Sequence, residues 1–345
     1  MKYDAGRKRT DLFKKRQQQK PRGPLVPISI VIVAAILALF SLVKPFQFIS
    51  NINPGNVTVP PFTPTPTPIP TPTDIHGGHI VFTCTRKDIN QICMIRADGS
   101  GYRQLTNGTT NAYYPVMAPN AQYIVFALNQ YDKFDLNVLR LSDLDVRKLT
   151  DSIGNSFSPD FSPDGKQIVF ANRVGNAPSA IWVVGSDGKK PHQLYAGPKD
   201  IVGAAWSPDG NTIAFTMQVD LAFTYEVFLL DLRHPDAAPR RISHGLSGIG
   251  GSLDWSADGK SLVIFAGPVA AREVYRLDIS TGAFTQLTFG GNNAAASYST
   301  DGQYIVYNSL RNNNQADLYI MRADGHSTRQ LTDDPEPDWQ PQWGP

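Results

Sequence analysis

The chain has 345 residues and a formal net charge of +2, and this small value conceals two parts of opposite sign. Residues 1–24 hold nine Lys and Arg against two Asp, a net charge of +7, so the rest of the chain carries −5. A mildly acidic body argues against nucleic-acid binding, which requires a basic stripe on the folded domain itself. Two cysteines in a chain of this length exclude a disulfide framework, so the fold must depend on a hydrophobic core.

An uncharged apolar segment follows the basic tail at residues 25–43, LVPISIVIVAAILALFSLV, and Lys44 ends it. Nineteen residues of α-helix span about 28 Å, close to a hydrocarbon core of about 30 Å. We therefore predict a single-pass transmembrane signal anchor, with residues 1–24 in the cytoplasm and the remainder extracytoplasmic. A cleavable signal peptide is the alternative, and it is disfavoured because the apolar run is long and the following KPFQF offers no small-x-small cleavage site.

Residues 44–77 are predicted to be a linker. Seven prolines lie between Pro60 and Pro72, and most of them alternate with Thr. This composition favours a polyproline II stalk with a rise of about 3.1 Å per residue, which would hold the next domain about 40 Å from a membrane surface.

From residue 78 onward, short apolar runs alternate with Gly, Asn, Asp and Pro, and one cassette recurs. It is an aromatic residue, a tight turn and a β run, as in Phe161-Ser162-Pro163-Asp164-Gly165. Other copies start at Trp206, Trp255 and Tyr298, with a divergent copy at Met117 and a truncated one at Trp343. The Leu-Thr pairs that end each unit, replaced twice by Leu-Tyr or Ile-Ser, are spaced by 44, 45, 48, 45 and 44 residues. Six such units, each with four strand-sized runs, predict a six-bladed β-propeller.

The two ends of the repeat region complement one another. The first unit lacks an inner strand, whereas residues 338–345 form an inner strand that no further unit follows. We therefore predict that the C-terminal strand completes the first blade and closes the ring, which protects two sheet edges. The predicted fold is all-β over residues 78–345, with four-stranded antiparallel blades preceded by one transmembrane helix.

The aromatic-Ser-Pro-Asp-Gly cassette, the Asp-Gly turn and the Arg-Gln-Leu-Thr ending resemble the TolB-like propeller repeats, also called WD40-like PD repeats. The resemblance covers roughly residues 78–345. Similar repeats occur in the propellers of prolyl-oligopeptidase-type peptidases. The resemblance implies the fold rather than an activity, because propellers host many functions. Neither the N-terminal domain of TolB nor the nucleophile elbow of a hydrolase domain is recognised in this sequence.

Several residues that could in principle bind a metal or a ligand are explained by their position in the repeat. The turn aspartates occupy positions that favour Asp for local backbone hydrogen bonds, so we predict a structural role for Asp98, Asp164, Asp187, Asp209, Asp258, Asp301 and Asp324. The cassette aromatics are predicted to pack between blades. His76 and His79 have a spacing compatible with a metal, but no Cys or acidic partner lies nearby in sequence. We predict no catalytic constellation, no metal and no cofactor.

The two cysteines fall in the first blade, at the end of one strand and within the next. A hairpin centred near Asp88 and Ile89 would place Cys84 and Cys93 opposite one another. An exported domain permits a disulfide, which we predict in preference to two buried thiols.

Strand order places the loops on two rims. We label the four strands of each unit A to D, from the predicted inner strand outward. Turns between strands A and B and between C and D are short and uniform, whereas the B-to-C and D-to-A connections are long and varied. Variable loops on a rigid scaffold are where binding usually occurs. The candidate binding residues on that rim are Arg86, Asp88, Tyr131, Asp132, Lys133, Asp151, Asn155, Arg173, Asp200, His244, Arg272, Arg311, Asn312 and Asp338.

The sequence thus favours a membrane-anchored extracytoplasmic binding or scaffold module whose variable loops face away from the membrane. The expected partner is an envelope protein, a peptide or a glycan. One alternative is a glycan-active lyase or hydrolase with a site in the central channel. Another is a sensor domain coupled to a cytoplasmic partner through the short basic tail.

Overall fold

The computed structural model describes residues 77–131, 133–220, 222, 224–312 and 314–345, which form strands, turns and loops. The predicted tail (1–24), the predicted transmembrane segment (25–43) and all of the predicted stalk except Gly77 lie outside these described residues. Within the described ranges, no helix has the length and hydropathy needed to cross a membrane.

Twenty-four strands build the described part of the chain. In chain order they are β1 His79–Arg86, β2 Ile89–Arg96, β3 Arg103–Gln104, β4 Asn111–Met117, β5 Tyr123–Gln130, β6 Lys133–Arg140, β7 Val146–Lys148, β8 Asn155–Phe161, β9 Gln167–Arg173, β10 Ala180–Gly185, β11 His192–Tyr195, β12 Ile201–Trp206, β13 Thr212–Gln218, β14 Tyr225–Asp231, β15 Arg240–Arg241, β16 Leu253–Trp255, β17 Ser261–Ala266, β18 Glu273–Asp278, β19 Phe284–Gln286, β20 Asn293–Tyr298, β21 Tyr304–Asn312, β22 Gln315–Arg322, β23 Arg329–Gln330 and β24 Asp338–Gly344.

These strands form six four-stranded antiparallel sheets, so the predicted six-bladed propeller is confirmed. Blade 1 has the order β24-β1-β2-β3, and blades 2 to 6 each use four consecutive strands, beginning at β4, β8, β12, β16 and β20. Within each blade we name the strands A to D from the inner strand outward. The outermost strands are only two to four residues long, which leaves little free edge for unwanted pairing.

The ring closes as the sequence predicts. Strand β24 pairs with β1, with His79 opposite Gly344, Ile80 opposite Trp343 and Cys84 opposite Asp338. The described chain therefore starts and finishes at the same end of blade 1. Stability of this blade depends on both ends of the domain at once.

The cassette aromatics pack between neighbouring blades, as predicted. Trp343 of blade 1 stacks on Tyr304 of blade 6, with ring centroids 6.4 Å apart. Phe161 belongs to a core cluster shared by blades 2 and 3, and Trp255 to one shared by blades 4 and 5. Each of these aromatics thus fills a junction, and burial of such a side chain supplies several kcal/mol by transfer from water (about 25 cal/mol per Å² of apolar surface).

The Ser-Pro-Asp-Gly turn is closed by its own side chains. The Ser162 hydroxyl donates to Asp164 at 2.7 Å and accepts the N–H of Gln167 at 3.0 Å, while Gly165 takes a φ of 68°. Asp164 also accepts the N–H of Lys166. An Oδ1 accepts the N–H two residues ahead in the same way at Asp98, Asp187, Asp209, Asp258, Asp301 and Asp324. The turn aspartates are therefore confirmed as structural.

The Leu-Thr endings also have a physical cause. In five blades the hydroxyl after the apolar residue accepts a backbone N–H of strand C at 2.7–3.0 Å; the acceptors are Thr106, Thr150, Ser243, Thr288 and Thr332. This bond fixes the short outer strand to the blade just before the D-to-A loop begins. In blade 3, Tyr195 occupies the position. There the Ser179 hydroxyl donates to Asp200 and accepts the N–H of Ile201, so it joins the start of strand C to the D-to-A loop and to β12.

Cys84 and Cys93 are joined by a disulfide with a Cα–Cα distance of 5.9 Å. The predicted pairing, with Cys84 directly opposite Cys93, was wrong because the turn lies one residue earlier in the chain than predicted. The turn is centred on Lys87 and Asp88, which have φ values of 53° and 64°, and Cys84 therefore lies opposite Gln91. The disulfide links diagonal neighbours, which are still close enough to bridge.

Candidate binding rim and groove

The two rims of the propeller differ in exposed apolar side chains. We call the end carrying the B-to-C and D-to-A connections the variable rim, and the opposite end the turn rim. Four large apolar side chains are exposed on B-to-C or D-to-A connections: Tyr131 (102%), Val174 (48%), Val269 (55%) and Phe289 (79%). Beside C-to-D turns two are exposed, and to a smaller degree: Tyr102 (41%) and Val146 (42%). Only Tyr131 was among the sequence-predicted candidates. Phe289 could have been recognised from the sequence, because an apolar residue before Gly290-Gly291 in a loop has no strand in which to be buried.

Arg86, a predicted rim residue, is occupied by contacts within the protein. Its guanidinium lies 2.7 Å from Asp334 and 3.4 Å from Asp338, and its Nε donates to the Tyr102 hydroxyl at 3.0 Å. Asp338, also predicted as a rim residue, is fully buried. Because a ligand cannot reach it in this state, Asp338 belongs to the ring closure rather than to the binding surface.

Two more predicted residues pair with each other across a loop. Arg173 Nη2 donates to Asp200 Oδ1 at 2.8 Å, and the same oxygen accepts the backbone N–H of Ser179 at 2.9 Å. Nearby, the ammonium group of Lys148 beside Asp151 lowers the pKa of that carboxyl. These contacts order the loops after strands β9 and β7.

Arg272 and Arg311 are held over aromatic rings. The Arg311 guanidinium lies 4.5 Å from the Tyr319 ring centroid and donates to the Tyr307 hydroxyl at 3.0 Å. Arg272 lies 5.6 Å from the Phe265 centroid, and burial lowers the pKa of its guanidinium. Such cation–π contacts stabilise the loop conformation and leave less of each cation free for a ligand.

The remaining predicted residues are distributed around the rim. Asp88 and His244 are exposed on blades 1 and 4, far apart in the ring. Asn312 donates to Gln330 at 2.8 Å within blade 6. Asp132 lies outside the described residues. The thirteen candidates that the structure describes therefore do not converge on one site.

Three of them do come together in a shallow groove between blades 2 and 3. The groove has a volume of about 330 Å³ and is lined by Lys133, Ser152, Ile153, Gly154, Asn155, Arg173, Val174 and Gly175. The sequence predicted Lys133, Asn155 and Arg173, but it offered no signal for Ile153 and Val174. We refer to this set as the 2–3 groove.

Local contacts fix the shape of the 2–3 groove. The Asn155 side chain accepts the backbone N–H of Phe134 at 2.8 Å, which ties the start of β8 to the start of β6. Asn172 donates to the carbonyl of Ile153 at 3.1 Å from the floor of blade 3. The D-to-A loop before β8 is therefore held to both blades, so the groove is largely pre-formed.

The central channel carries two carboxyls that the sequence analysis missed. Asp160 accepts the N–H of Trp206 at 2.7 Å, and Asp254 accepts the N–H of Tyr298 at 2.9 Å and the Ser297 hydroxyl at 2.8 Å. Burial raises the pKa of Asp160 to about 7 and that of Asp254 to about 6. Each carboxyl joins the inner strand of one blade to that of the next.

The geometry gives these channel carboxyls a structural role, because each accepts a backbone N–H from the inner strand of the neighbouring blade. A polar residue immediately before a cassette aromatic was the signal that could have found them. Elsewhere in the described part of the chain, no three His, Cys, Asp or Glu side chains are grouped so as to hold a metal ion.

Comparison with known proteins agrees with the architecture. A family model described as TolB beta propeller domain matches residues 70–207 and 195–345. An uncharacterized protein of Agrobacterium fabrum is 33% identical over 140 residues, which are 40% of this chain and 46% of that protein. The Tol-Pal system protein TolB of Anaeromyxobacter dehalogenans is 33% identical over 89 residues, 26% of this chain and 20% of that protein. The matched segments span less than half the length of these relatives.

Solved structures give the same result at the level of the fold. The crystal structure of TolB from Acinetobacter baumannii superposes with a TM-score of 0.68 and 23% identity, covering 78% of this chain and 67% of that one. A putative TolB from Agrobacterium tumefaciens gives a TM-score of 0.61 and 17% identity, covering 78% of this chain and 98% of that one. At these identities the likeness establishes the propeller and not its ligand.

Proposed function

Since the chain belongs to the TolB beta propeller domain family, we propose that it is a non-enzymatic binding module, anchored in the membrane by residues 25–43, that docks an envelope partner on its variable rim. The partner class expected from the sequence is a protein, a peptide or a glycan, and we favour a protein. The relatives named TolB are proteins of the Tol-Pal system, which supports a role within a protein assembly.

The observation that carries the proposal is the asymmetry of exposed apolar side chains. Tyr131, Val174, Val269 and Phe289 project from the B-to-C and D-to-A loops of blades 2, 3 and 5. Exposed aromatic residues on a rigid scaffold are typical of protein interfaces, where aromatic side chains are enriched. The turn rim consists of short turns, and in four of them the Ser hydroxyl already donates to the Asp carboxylate of the same turn. Its exposed apolar side chains among the described residues, Tyr102 and Val146, are only 41% and 42% exposed.

Topology supports the orientation in which the variable rim faces outward. The chain enters the propeller at His79, on the turn rim, and Gly344 lies opposite it in the paired strand. A stalk that approaches from the membrane would therefore meet the turn rim first. The same orientation leaves the loops of blades 2 to 5 open to a partner.

Photo-crosslinking of the full chain in living cells tests the binding surface. We would introduce p-benzoylphenylalanine at Tyr131 or Phe289 on the variable rim and, as an exposed apolar control, at Val146 beside a C-to-D turn. Val146 is 42% exposed, so a crosslinker there can also reach a neighbouring protein. We expect protein adducts from the first two positions and none from the third. Equal adducts from all three positions, or none from Tyr131 and Phe289, would contradict the proposal.

Thiol labelling tests the orientation and the location. Both native cysteines lie in the disulfide, so an introduced cysteine is the only free thiol among the described residues. With Asn312→Cys on the variable rim and Asp164→Cys on the turn rim, a membrane-impermeant maleimide should label intact cells or spheroplasts at Asn312→Cys faster. Labelling that appears only after lysis would contradict an extracytoplasmic propeller, and equal shielding at both positions would contradict the outward rim.

A further inference from the structure

The 2–3 groove has an electrostatic character that points to a particular ligand chemistry. Two of its eight lining residues, Lys133 and Arg173, are cationic, and none is acidic. The other lining residues include two aliphatic side chains, Ile153 and Val174. The groove therefore presents positive charge next to a small apolar surface.

Of the two cations in the 2–3 groove, Lys133 has fewer contacts within the protein. Within the described ranges its ammonium group makes no hydrogen bond or ion pair, although its charge contributes to the lowered pKa of nearby Asp151. The nearest ion pairs of blade 2 use Lys148 instead, which contacts Asp135 at 3.2 Å and Asp151 at 2.9 Å. A ligand carboxylate could therefore bind Lys133 without breaking a contact among these described residues.

Arg173 is held in position and still presents free donors. One terminal nitrogen binds Asp200 at 2.8 Å, and the side chain remains 31% exposed. A guanidinium carries five N–H donors in a planar fork, so the Asp200 contact leaves others available to a carboxylate. Because Asp200 also accepts bonds from Ser179, the loop that carries it does not depend on Arg173 alone.

The apolar side chains beside the two cations indicate which kind of anionic ligand fits the groove. Val174 is 48% exposed at the edge of the groove, and Tyr131, on the same blade as Lys133, is fully exposed. A free inorganic anion would leave these side chains uncovered. A protein segment with an Asp or Glu next to an aliphatic residue would satisfy the cations and cover the apolar surface together.

We propose that the 2–3 groove binds an acidic protein segment, with its carboxylates on Lys133 and Arg173 and an aliphatic side chain against Ile153 and Val174. This inference rests on the proposed function, since it names the chemistry of the partner at one part of the variable rim. The volume of about 330 Å³ is at the lower end for ligand pockets, so the groove takes a short stretch of chain rather than a domain.

The direct test uses a defined probe with the full chain in detergent micelles. The probe is a rhodamine-labelled, terminally blocked peptide Gly-Glu-Leu-Glu-Leu-Gly, and its matched control replaces both Glu by Gln. We expect the Glu peptide to bind and the Gln peptide to bind about tenfold more weakly, because charge-assisted bonds to carboxylate are lost. Affinity for the Glu peptide should fall as NaCl is raised.

Variants locate the site. Lys133→Gln and Arg173→Gln should each weaken binding of the Glu peptide by about tenfold while leaving the thermal midpoint within a few degrees of wild type. Lys260→Gln is the control, since this turn-rim lysine has an 82% exposed side chain and should bind the peptide as wild type does. Unchanged affinity in both groove variants, equal affinity for the Gln peptide, or tighter binding of a uronic-acid oligosaccharide would each overturn the inference.

The crosslinking experiment separates this inference from the proposed function. If adducts at Tyr131 are lost in the Lys133→Gln and Arg173→Gln variants while adducts at Phe289 persist, the groove is the acidic-segment site within a larger interface. If adducts at both positions persist in these variants, the inference fails and the proposed function stands. If no position yields an adduct in the wild-type chain, the proposed function itself fails.

Discussion

Arg86 and Asp338 are separated by 252 positions in the chain, yet Nη1 of Arg86 lies 3.4 Å from Oδ1 of Asp338 where the last strand joins the first blade. Asp338 is fully buried, and burial, reinforced by Asp334, raises its pKa to about 7 against the opposing effect of Arg86. The ion pair therefore compensates a carboxylate that has been removed from water. It connects the closure of the ring to the loop surface of blade 1.

Arg86→Gln should destabilise the propeller in a pH-dependent manner. Without the guanidinium, the buried Asp338 carboxylate loses a compensating charge, and at pH 8 this costs up to about 1.4 kcal/mol of unfolding free energy, because beyond that cost the carboxyl takes up a proton. At pH 5 the carboxyl is already protonated in the folded state, because its pKa lies near 7. The loss should then be much smaller. Urea unfolding of the variant and the wild type at both pH values measures this difference.

Arg233→Gln is the matched control for Arg86→Gln. It removes an Arg–Asp pair of similar length, 2.9 Å to Asp231, but the Arg233 side chain is 62% exposed. Such surface pairs contribute little, so this variant should unfold like wild type at pH 8 and pH 5. A loss at Arg86→Gln that does not change with pH would show that packing, rather than charge compensation, is the function of Arg86.

Removing the disulfide should weaken the same blade. The bond joins Cys84 and Cys93, which are nine positions apart, and the chain-entropy relation for so short a loop gives about 2–3 kcal/mol. Both positions are fully buried, so the double substitution Cys84→Ala and Cys93→Ala avoids placing a polar group in the core. We expect a lower thermal midpoint for the double variant. Dithiothreitol should lower the midpoint of wild type toward that of the variant and leave the variant unchanged.

The opposite outcome is also informative. A wild-type midpoint that is identical with and without dithiothreitol, once mass spectrometry has confirmed reduction, would show that the disulfide does not stabilise the native ring. The closure through Trp343 and Asp338 would then be sufficient to hold blade 1.

The fold could be predicted from the sequence because the same local physics is repeated six times. A cassette such as Phe161 to Gly165 specifies a buried aromatic, a turn and the start of the next strand within a few residues, and its period indicates the number of blades. The truncated copy at Trp343 was enough to predict the ring closure. The predicted cysteine register was wrong, because a two-residue turn with two positive φ values at Lys87 and Asp88 has no Gly or Asn-Gly signal.

The candidate site could be predicted only in part, and the reason is physical. Charged loop residues such as Arg86 and Arg311 look available in sequence, but partners elsewhere in the chain occupy them in the structure. Asp334, for example, is 248 positions from Arg86. Which loop charges remain for a ligand is thus decided by tertiary pairing, whereas the position of Lys133 and Asn155 in the repeat predicted only that they lie on the variable rim.

Blades 4 and 5 approach each other so closely at Gly203 that this position should tolerate no side chain. A Cβ atom at Gly203 would lie 1.7 Å from the carbonyl oxygen of Gly251 in the segment that leads into the next inner strand. Gly203→Ala must push two blades apart, which we expect to cost about 3 kcal/mol or to prevent folding at 37 °C. Gly210→Ala is the control, because its φ is 74° with open space around the Cβ, and it should cost about 1–2 kcal/mol from backbone strain alone. If the two variants unfold at the same midpoint, the close approach is not a constraint in solution.

The channel and turn aspartates should give the propeller a stability maximum in mild acid. Hydrogen bonds from Ser280 and Thr281 lower the pKa of Asp278 to about 2, so its contribution is present above pH 4 and is lost as the pH falls. Asp160 and Asp254 act in the opposite sense, since burial raises their pKa values to about 7 and about 6. The folded state binds more protons than the unfolded state between pH 4 and pH 7, so stability falls as the pH rises through this window.

Asp160→Asn and Asp254→Asn should therefore stabilise the propeller at pH 8 and have little effect at pH 4. An amide oxygen can still accept the N–H of Trp206 or Tyr298, while the cost of a buried charge is removed. Because both side chains keep partial access to the channel, we expect a gain on the order of 1 kcal/mol for each. Thermal unfolding from pH 4 to pH 8 should show a flatter profile for the double variant than for wild type. Profiles that run parallel, or a loss of stability at pH 8, would mean that these carboxylates are compensated in the folded state and that the acid-side maximum has another origin.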